Sequence, residues 1–311
     1  MAASWSWGVS LAVGISIIIT RGVVPFSIWA LANIVAIPVF VYVWLKSPEF
    51  RKVLSSKPVL AAMLAIQVFA IWMNMRILKG SLVGGDLGTA ALVSEHIAIG
   101  IVVVVSIILA LVVYWGGLGI SIATDRYQYA LQLIGTLAIV VVALYYTGVA
   151  SVDWGVSQGN LWWAVVGAAG LLSAPPLDMQ QHQRVELGDG IGAGMWCAAF
   201  FGVYIVAVGL AGISLGGSAT SSLLVAVVVF SIATSTLDSA YAALQELTGD
   251  IRYALGLSIA CIVAWYPLSG VGIVDFWTMY ATARIPIVLV LIVVSAHLSV
   301  SANWSYRDVF R

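Results

Sequence analysis

Polar residues in this chain occur mainly as punctuation between long apolar runs. Ten charge-poor runs can be read off, at 5–20, 23–45, 58–78, 94–115, 127–148, 161–182, 190–212, 221–245, 252–268 and 272–298, each of roughly the length a helix needs to cross hydrocarbon. The eighth carries the most informative pattern. Within Ser221 to Asp250, Ser231, Ser235, Asp238, Ser239 and Ala242 recur at three- and four-residue steps, so a helix here presents a stripe of hydroxyls ending in a carboxylate. Oxygens facing lipid would lack partners, so the stripe must face another helix, a cavity or a bound ion. One reading has each hydroxyl return to the carbonyl a turn earlier and only glue helices; the other has the stripe hold a ligand.

The pattern predicts an all-α polytopic membrane protein, a single transmembrane domain over residues 1–311 with ten transmembrane helices. The spans divide into nearly equal sets of five, over 5–149 and 160–298, and an odd number in each set turns the second upside down relative to the first. Helix breakers fall in matching places. The first span contains Gly8 and Gly14 and ends at Arg21-Gly22; the sixth contains Gly167, Gly170 and the pair Pro175-Pro176. Two prolines remove two amide donors and clash with preceding carbonyls, so the sixth helix is expected to open near Leu171 to Ser173. Broken first and sixth helices point to a binding site at the bilayer midplane.

Composition agrees with the pattern. Hydrophobic residues make up 62% of the chain and charged residues 8%, too little charge for a soluble surface. Basic and acidic residues number 13 each, so nothing recommends nucleic acid as a partner, and the 13 tryptophans read as interface anchors in a lipid bilayer. Lys46, Arg51, Lys52, Lys57, Arg126, Arg184, Arg252, Arg307 and Arg311 fall on one side, against Arg21, Arg76 and Lys79 on the other. That bias places both termini in the cytoplasm and the protein in the cell membrane, which makes the sequon at Asn303 an unlikely glycosylation site. The N-terminus, MAASWSWGVS, lacks the basic region of a cleaved signal peptide. Cys197 and Cys261 sit in apolar runs, where a disulfide is not expected. No enzyme is expected: His96, His182 and His297 are scattered, no H-E-x-x-H occurs, and the last lysine is Lys79, which excludes a retinal linkage in the final helix. No feature fixes an oligomeric state.

Three segments carry a resemblance. Ser235-Thr236-Leu237-Asp238-Ser239 followed by Leu247-Thr248-Gly249-Asp250 resembles the eighth core helix of the sodium/solute symporter family. Tyr114-Trp115-Gly116-Gly117-Leu118 with Thr124-Asp125 and Gln128 resembles its junction between core helices four and five. Gln180 to Arg184 resembles its end of core helix six. The resemblance covers residues from about 110 to 250, and Ser27 to Lys52 matches in layout only. It implies a LeuT-like fold of the amino acid-polyamine-organocation type, here a stripped core without the family's additional helices. It also implies Na+ as coupling ion, held by Val13 and Gly14 of the first helix and by Ile232, Ser235 and Thr236 of the eighth; since Asp250 arrives one residue early, Thr234 with Ser235 is the alternative pair. A hard cation takes oxygen ligands of this kind. A proton on Asp238 is the alternative coupling ion.

Ionisable groups inside the spans complete the candidate site. Arg284 lies within the tenth span, where an unpaired charge costs several kcal/mol. Its candidate partners are Asp238, Asp178 and an anionic group on a solute; Asp275 lies on the opposite helical face. Asp178, His182 and Arg184 read as a solvated helix end, as do Glu95 and His96. Asn33, Gln67 and Asn74 read as helix glue, with Asn33 also a solute contact by resemblance. The expected function is sodium-coupled symport of a small polar solute by alternating access, with the solute against Asn33, Leu171, Ser173, Pro175 and Arg284. The alternative is a non-transporting solute-binding, sensor or assembly subunit on the same core.

Overall fold

A computed structural model describes residues 8–84, 87, 90–147, 154–186, 190–214 and 219–308. Among them the secondary structure is helical: α1 Gly8–Arg21, α2 Val23–Lys46, α3 Pro48–Leu54, α4 Lys57–Val83, α5 Glu95–Thr147, α6 Gln158–Leu172, α7 Met179–Glu186, α8 Ile191–Ser214, α9 Ala219–Thr248, α10 Ile251–Ala264 and α11 Ile273–Asp308. Short 3-10 turns at Pro175–Leu177 and Tyr266–Leu268 join α6 to α7 and α10 to α11. Among the described residues six helices are long and apolar enough to cross a bilayer: α2, α4, the Glu95–Gly116 part of α5, α8, α9 and α11. Shorter apolar stretches at Ser10–Arg21, Ala130–Val142 and Ile251–Ala264 accompany them. The chain is a multi-pass helical membrane protein.

Helix starts follow the polar punctuation. Ser47 accepts from the Phe50 amide ahead of Pro48, Ser157 from the Asn160 amide, and Asp250 from the Arg252 amide, so each covers a donor left open at a helix N-terminus. Gly155 has φ +64 and lies against the Arg21 carbonyl, where any side chain would collide with backbone. The Trp154 carbonyl accepts from the Val24 amide at 3.1 Å and Asn160 donates to the Arg21 carbonyl at 3.0 Å. Residues 154–160 are thereby tied to the start of α2, whereas Ser55 lies past its far end. A cysteine at Ser55 is therefore expected to react with impermeant reagents only from the cytoplasm, and one at Ser157 only from outside. Labelling of both from one side would overturn that placement.

The expected break in the first span is absent from the described residues: α1 is uninterrupted from Gly8 to Arg21. Gly14 is there for close packing, since a β-carbon on it would stand 2.7 Å from Val208 and 3.2 Å from Phe26. The same device lines α8. Gly194 faces Val41, Gly202 faces Ile34 and Gly209 faces Phe26, a register that runs α8 antiparallel to α2, while Gly212 receives Ile18 of α1.

Helical backbone continues unbroken through Glu95–Thr147, 53 residues that cover both the fourth and fifth expected spans. A straight helix of that length would measure about 80 Å, more than twice the hydrocarbon thickness. Its contacts require it to double back. Glu95 pairs with Lys79, which also donates to the Ser269 carbonyl beyond α10, whereas Tyr114 bonds Ser258 and the Ala254 carbonyl near the start of α10. The first arm thus runs antiparallel to α10. Tyr114 also meets Tyr241 edge-on, yet Gly135 lies against Val228, back towards the start of α9. The chain reverses between Tyr114 and Gly135, a stretch that holds Gly116, Gly117 and Gly119, where a helix bends most readily.

At the centre stands α9, packed on α5, α4 and α1. Its apolar window is 67% buried against 33–50% for the other five, so the lipid-facing surface belongs to the surrounding helices, with Leu31, Ile134 and Val293 among its exposed residues. Three side chains of α4 hold the connection from α10 to α11. Trp72 donates to the Cys261 carbonyl at 2.8 Å, which also accepts from the Trp265 amide, while Arg76 donates to the Val271 carbonyl at 2.6 Å and Lys79 to the Ser269 carbonyl at 3.0 Å in the segment after α10.

Candidate functional site

The sixth span breaks from Ser173 onward, within the interval its sequence suggests. Leu172 is the last residue of α6, and the amide and hydroxyl of Ser173 both turn back to the Ala169 carbonyl, at 3.0 and 2.8 Å. Pro175 and Pro176 then force a single 3-10 turn, Asp178 is extended, and α7 starts at Met179. His182 folds back on the break: its Nε2 lies 3.0 Å from the Pro176 carbonyl, which can only accept, so that nitrogen carries the proton. The imidazole stacks on Phe40 at 5.4 Å and meets the edge of Trp44 at 4.7 Å. Asp178 and His182 are 2% and 5% exposed, which replaces the expected solvated helix end with a buried polar turn.

Arg284 reaches the same region from α11. It is buried, its guanidinium lies 4.1 Å from the centre of the Tyr280 ring, and its buried Nε meets no acceptor among the described residues. Asp178 is near enough for its charge to act on the guanidinium. Asp238 accepts from the Ser239 hydroxyl at 3.1 Å, and Asp178 accepts from Gln67 of α4 at 3.0 Å. Tyr280 stacks in turn on Phe69 at 5.0 Å, and Phe69 on Phe276 at 4.6 Å, so the cation sits at the end of a column of rings. Gln181 is fully buried, and both polar atoms of its amide lack a partner among the described residues. Buried donors and acceptors of this kind are ordinarily completed by water or a ligand.

Of the expected solute contacts, Leu171, Ser173, Pro175 and Arg284 belong to this region, because the turn at Pro175–Leu177 packs on α11, α4 and α2. Gly167 and Gly170 do not open α6. They admit Trp277 and Ala281, a β-carbon on Gly170 standing 2.6 Å from that of Ala281. Asn33 donates to the Trp29 carbonyl at 3.3 Å, as helix glue does, and so does Asn74 to Ala70 at 2.8 Å. Gln67, Gln181 and Tyr280 complete the site without having been singled out as ligands. Two of them left a signal, Gln181 in the polar run directly after Pro-Pro and Tyr280 one turn before Arg284.

The expected ion residues divide between two helices that pack together, α1 and α9. Val13 is fully buried, and its carbonyl and that of Gly14 lie inside an unbroken helix. Ser235 and Thr236 are each 1% exposed, and the Thr236 hydroxyl bonds the Ile232 carbonyl at 3.0 Å. Thr234 bonds the Ser231 carbonyl at 2.8 Å and is only half-buried, which favours Ser235 and Thr236 as the inward pair. Glu95, expected to be solvated, has an exposed carboxylate but pairs with buried Lys79. The side chains of Thr124, Asp125, Gln128, Gln180, Gln183 and Arg184 lie outside the described residues, so three of the resemblance motifs' polar positions on each side of the break have no structural account.

Beside the break, towards α3, a cavity of about 360 Å³ opens between α2 and the lower half of α11, lined mainly by apolar side chains such as Phe40, Val43, Leu172 and Val288, with Ser47 and Ser295. Pro176 is part of its lining. No protein-family model matches this sequence, and no curated protein is significantly similar to it.

Proposed function

We propose that the protein is a secondary active transporter that moves a small polar solute together with sodium by alternating access. The observation that carries this reading is the break at 173–178, where irregular backbone and buried Asp178 lie within electrostatic reach of the buried Arg284 of another helix. Intramembrane charges beside irregular backbone are a costly arrangement, and a solute pathway is its usual return. The proposed framework is the five-plus-five inverted repeat of LeuT-like, amino acid-polyamine-organocation type. The doubling back of α5 supports it, because with two crossings in that run the six long helices, the three shorter apolar stretches and α6 make ten segments.

Sodium coupling draws on α9. A rotation of the Thr236 hydroxyl would turn its lone pairs and the Ile232 carbonyl, now 3.0 Å apart, towards one cation, with the Ser235 hydroxyl one residue away. Carbonyls of Val13 and Gly14 would join only if α1 unwound locally. Proteoliposomes with an imposed sodium gradient, challenged with labelled sugars, amino acids, urea and carboxylates, test the reading. Gradient-dependent accumulation of one class is expected; saturable binding without accumulation would instead identify a non-transporting solute-binding subunit.

Replacing Ser235 and Thr236 together by alanine is expected to raise the half-saturating sodium concentration at least about tenfold, equivalent to about 1.4 kcal/mol, with little change in melting temperature. Alanine fits the helix interface but offers no ligand. Unchanged sodium dependence in a folded double variant would remove these residues from the ion site.

A further inference from the structure

The apolar cavity beside the break has two features that the proposed solute site does not use. It opens sideways: Val39, Leu172 and Ile292 line it and are exposed, so in a bilayer its rim belongs to the lipid-facing surface. Its walls are nearly all hydrocarbon, with Phe40, Phe50 and Val288 behind that rim and the hydroxyls of Ser47 and Ser295 as exceptions. Ser47 already accepts from the Phe50 amide. A concave space of this kind gives water too few partners to hold it. Beside a bilayer, hydrocarbon is the solvent that fills it.

The second feature is charge. The end of the cavity at Ser47 and Phe50 is where α2 gives way to α3. This short helix buries Phe50, Val53 and Leu54, leaves Arg51 half-buried and Lys52 exposed, and packs on both α2 and α11. Lys46, the last residue of α2, is exposed beside it. Three cations thus stand with a single acid, Glu49, between Lys46 and Lys52, and among the described residues no ion pair engages them. Helix dipoles favour cations at the ends of α2 and α3, which places these charges without giving them a counter-ion. Val39 lies one to two turns, about 10 Å, along α2 from Lys46, the separation of a phosphate from the upper part of its acyl chain. A basic cluster at a membrane surface with an apolar slot directly beneath it suits a ligand that is anionic at one end and hydrocarbon at the other.

We infer that this cavity and its basic rim bind one anionic glycerophospholipid from the leaflet on that side, with an acyl chain along Val39, Phe40 and Val288 and the phosphate on Arg51 and Lys52. The two halves of the site discriminate differently. The slot takes the chain of any phospholipid, because burial of apolar surface is non-directional. The rim selects the headgroup, Arg51 through the paired donors of its guanidinium and the lysines as point charges. A zwitterionic headgroup brings its own ammonium to the same rim and loses that selection. The inference rests on the membrane-embedded fold and requires no transport.

The test uses the full chain in detergent, stripped of lipid, with binding read by mass spectrometry of the intact complex and by melting temperature. The probes are dioleoyl phosphatidylglycerol, dioleoyl phosphatidylcholine with the same chains, and glycerol 3-phosphate with none. Phosphatidylglycerol is expected to bind at one copy per chain, tenfold or more tightly than phosphatidylcholine, and millimolar glycerol 3-phosphate should not displace it. Arg51→Gln with Lys52→Gln should bring phosphatidylglycerol down to the affinity of phosphatidylcholine, and Arg51→Lys should keep part of the difference. Arg252→Gln, which removes an exposed cation at the start of α10, should leave the difference intact. Val39→Trp, which fills the cavity from an exposed position, should weaken both lipids about tenfold at an unchanged lipid-free melting temperature. Unaltered binding of phosphatidylcholine shows that the charge variants remain folded. Equal affinity of the two lipids in the parent chain overturns the inference. So does a preference that survives loss of Arg51 and Lys52 or falls equally with Arg252, since either is bulk surface charge, and so does lipid binding indifferent to Val39→Trp. Gradient-driven uptake is decided separately from every one of these outcomes.

Discussion

Replacing Arg284 by glutamine is expected to abolish solute uptake and to lower the melting temperature in detergent. Arg284 is buried, stacked on Tyr280 and coupled to Asp178, so the substitution leaves a carboxylate buried without its compensating charge. A buried carboxylate that loses a nearby positive charge is destabilised in its charged form. The second substitution Asp178→Asn should therefore recover part of the stability, because Gln67 can still bond an amide oxygen there. Uptake should not recover, since the planar cation that would meet the solute is gone. Arg284→Lys is expected to fail nearly as badly, because an ammonium neither covers the Tyr280 ring as a guanidinium does nor offers its fork of donors. A stable Arg284→Gln protein that transports with unaltered solute affinity would displace the site from this region.

The second large effect is expected at Gly170, where α6 crosses α11 just before the break. A β-carbon there meets the β-carbon of Ala281 at 2.6 Å and its carbonyl oxygen at 2.9 Å, and the carbonyl cannot move without its helix. Gly170→Val should force the helices apart, cost about 1–3 kcal/mol from overpacking alone, and suppress uptake by displacing Ser173 to Asp178 from Arg284. Ala281→Gly should relieve part of the loss. Gly256 of α10 provides the contrast, since nothing lies within 4 Å of a β-carbon there and Gly256→Ala should be neutral or slightly stabilising, by about 0.4–1 kcal/mol. Equal melting temperatures for Gly170→Val and the parent would show that the crossing is looser than these distances imply.

What the sequence disclosed and what it concealed divide along physical lines. Uncharged length is written in composition, so helices appear where the apolar runs lie, and Pro175-Pro176 breaks a helix because the bonds themselves forbid its continuation. Glycine is different. Gly14 has the same letters around it whether a helix opens or a neighbour closes in, and only the presence of Val208 and Phe26 decides for the second. Arg284 was conspicuous because a charge in a membrane span demands an explanation, but its coupling to Asp178 depends on the chain folding back after the prolines, which no spacing encodes. His182 and Asp178 looked solvated because they follow an apolar run; the 3-10 turn returns them to the interior. The interval between the fourth and fifth apolar runs separates two expected spans, whereas its backbone remains helical up to and past the reversal.

The three hydrogen bonds from Trp72, Arg76 and Lys79 have a mechanical consequence. They fasten the upper end of α11 to α4 through the segment that precedes it, two of them charge-assisted and all three aimed at backbone. Tilting that end would break them together. Lower down, Pro286 interrupts the same helix, and the carbonyl of Thr282 has no amide four residues on to hold it. α11 is thus held at one end and short of one backbone bond near its middle, where the helix would bend most easily, and Val288, Ile292 and Ser295 beyond that point form one wall of the apolar cavity. Under the proposed alternating access, a swing of that arm would change the width of the cavity beside Pro176 while the end held by α4 stayed in place.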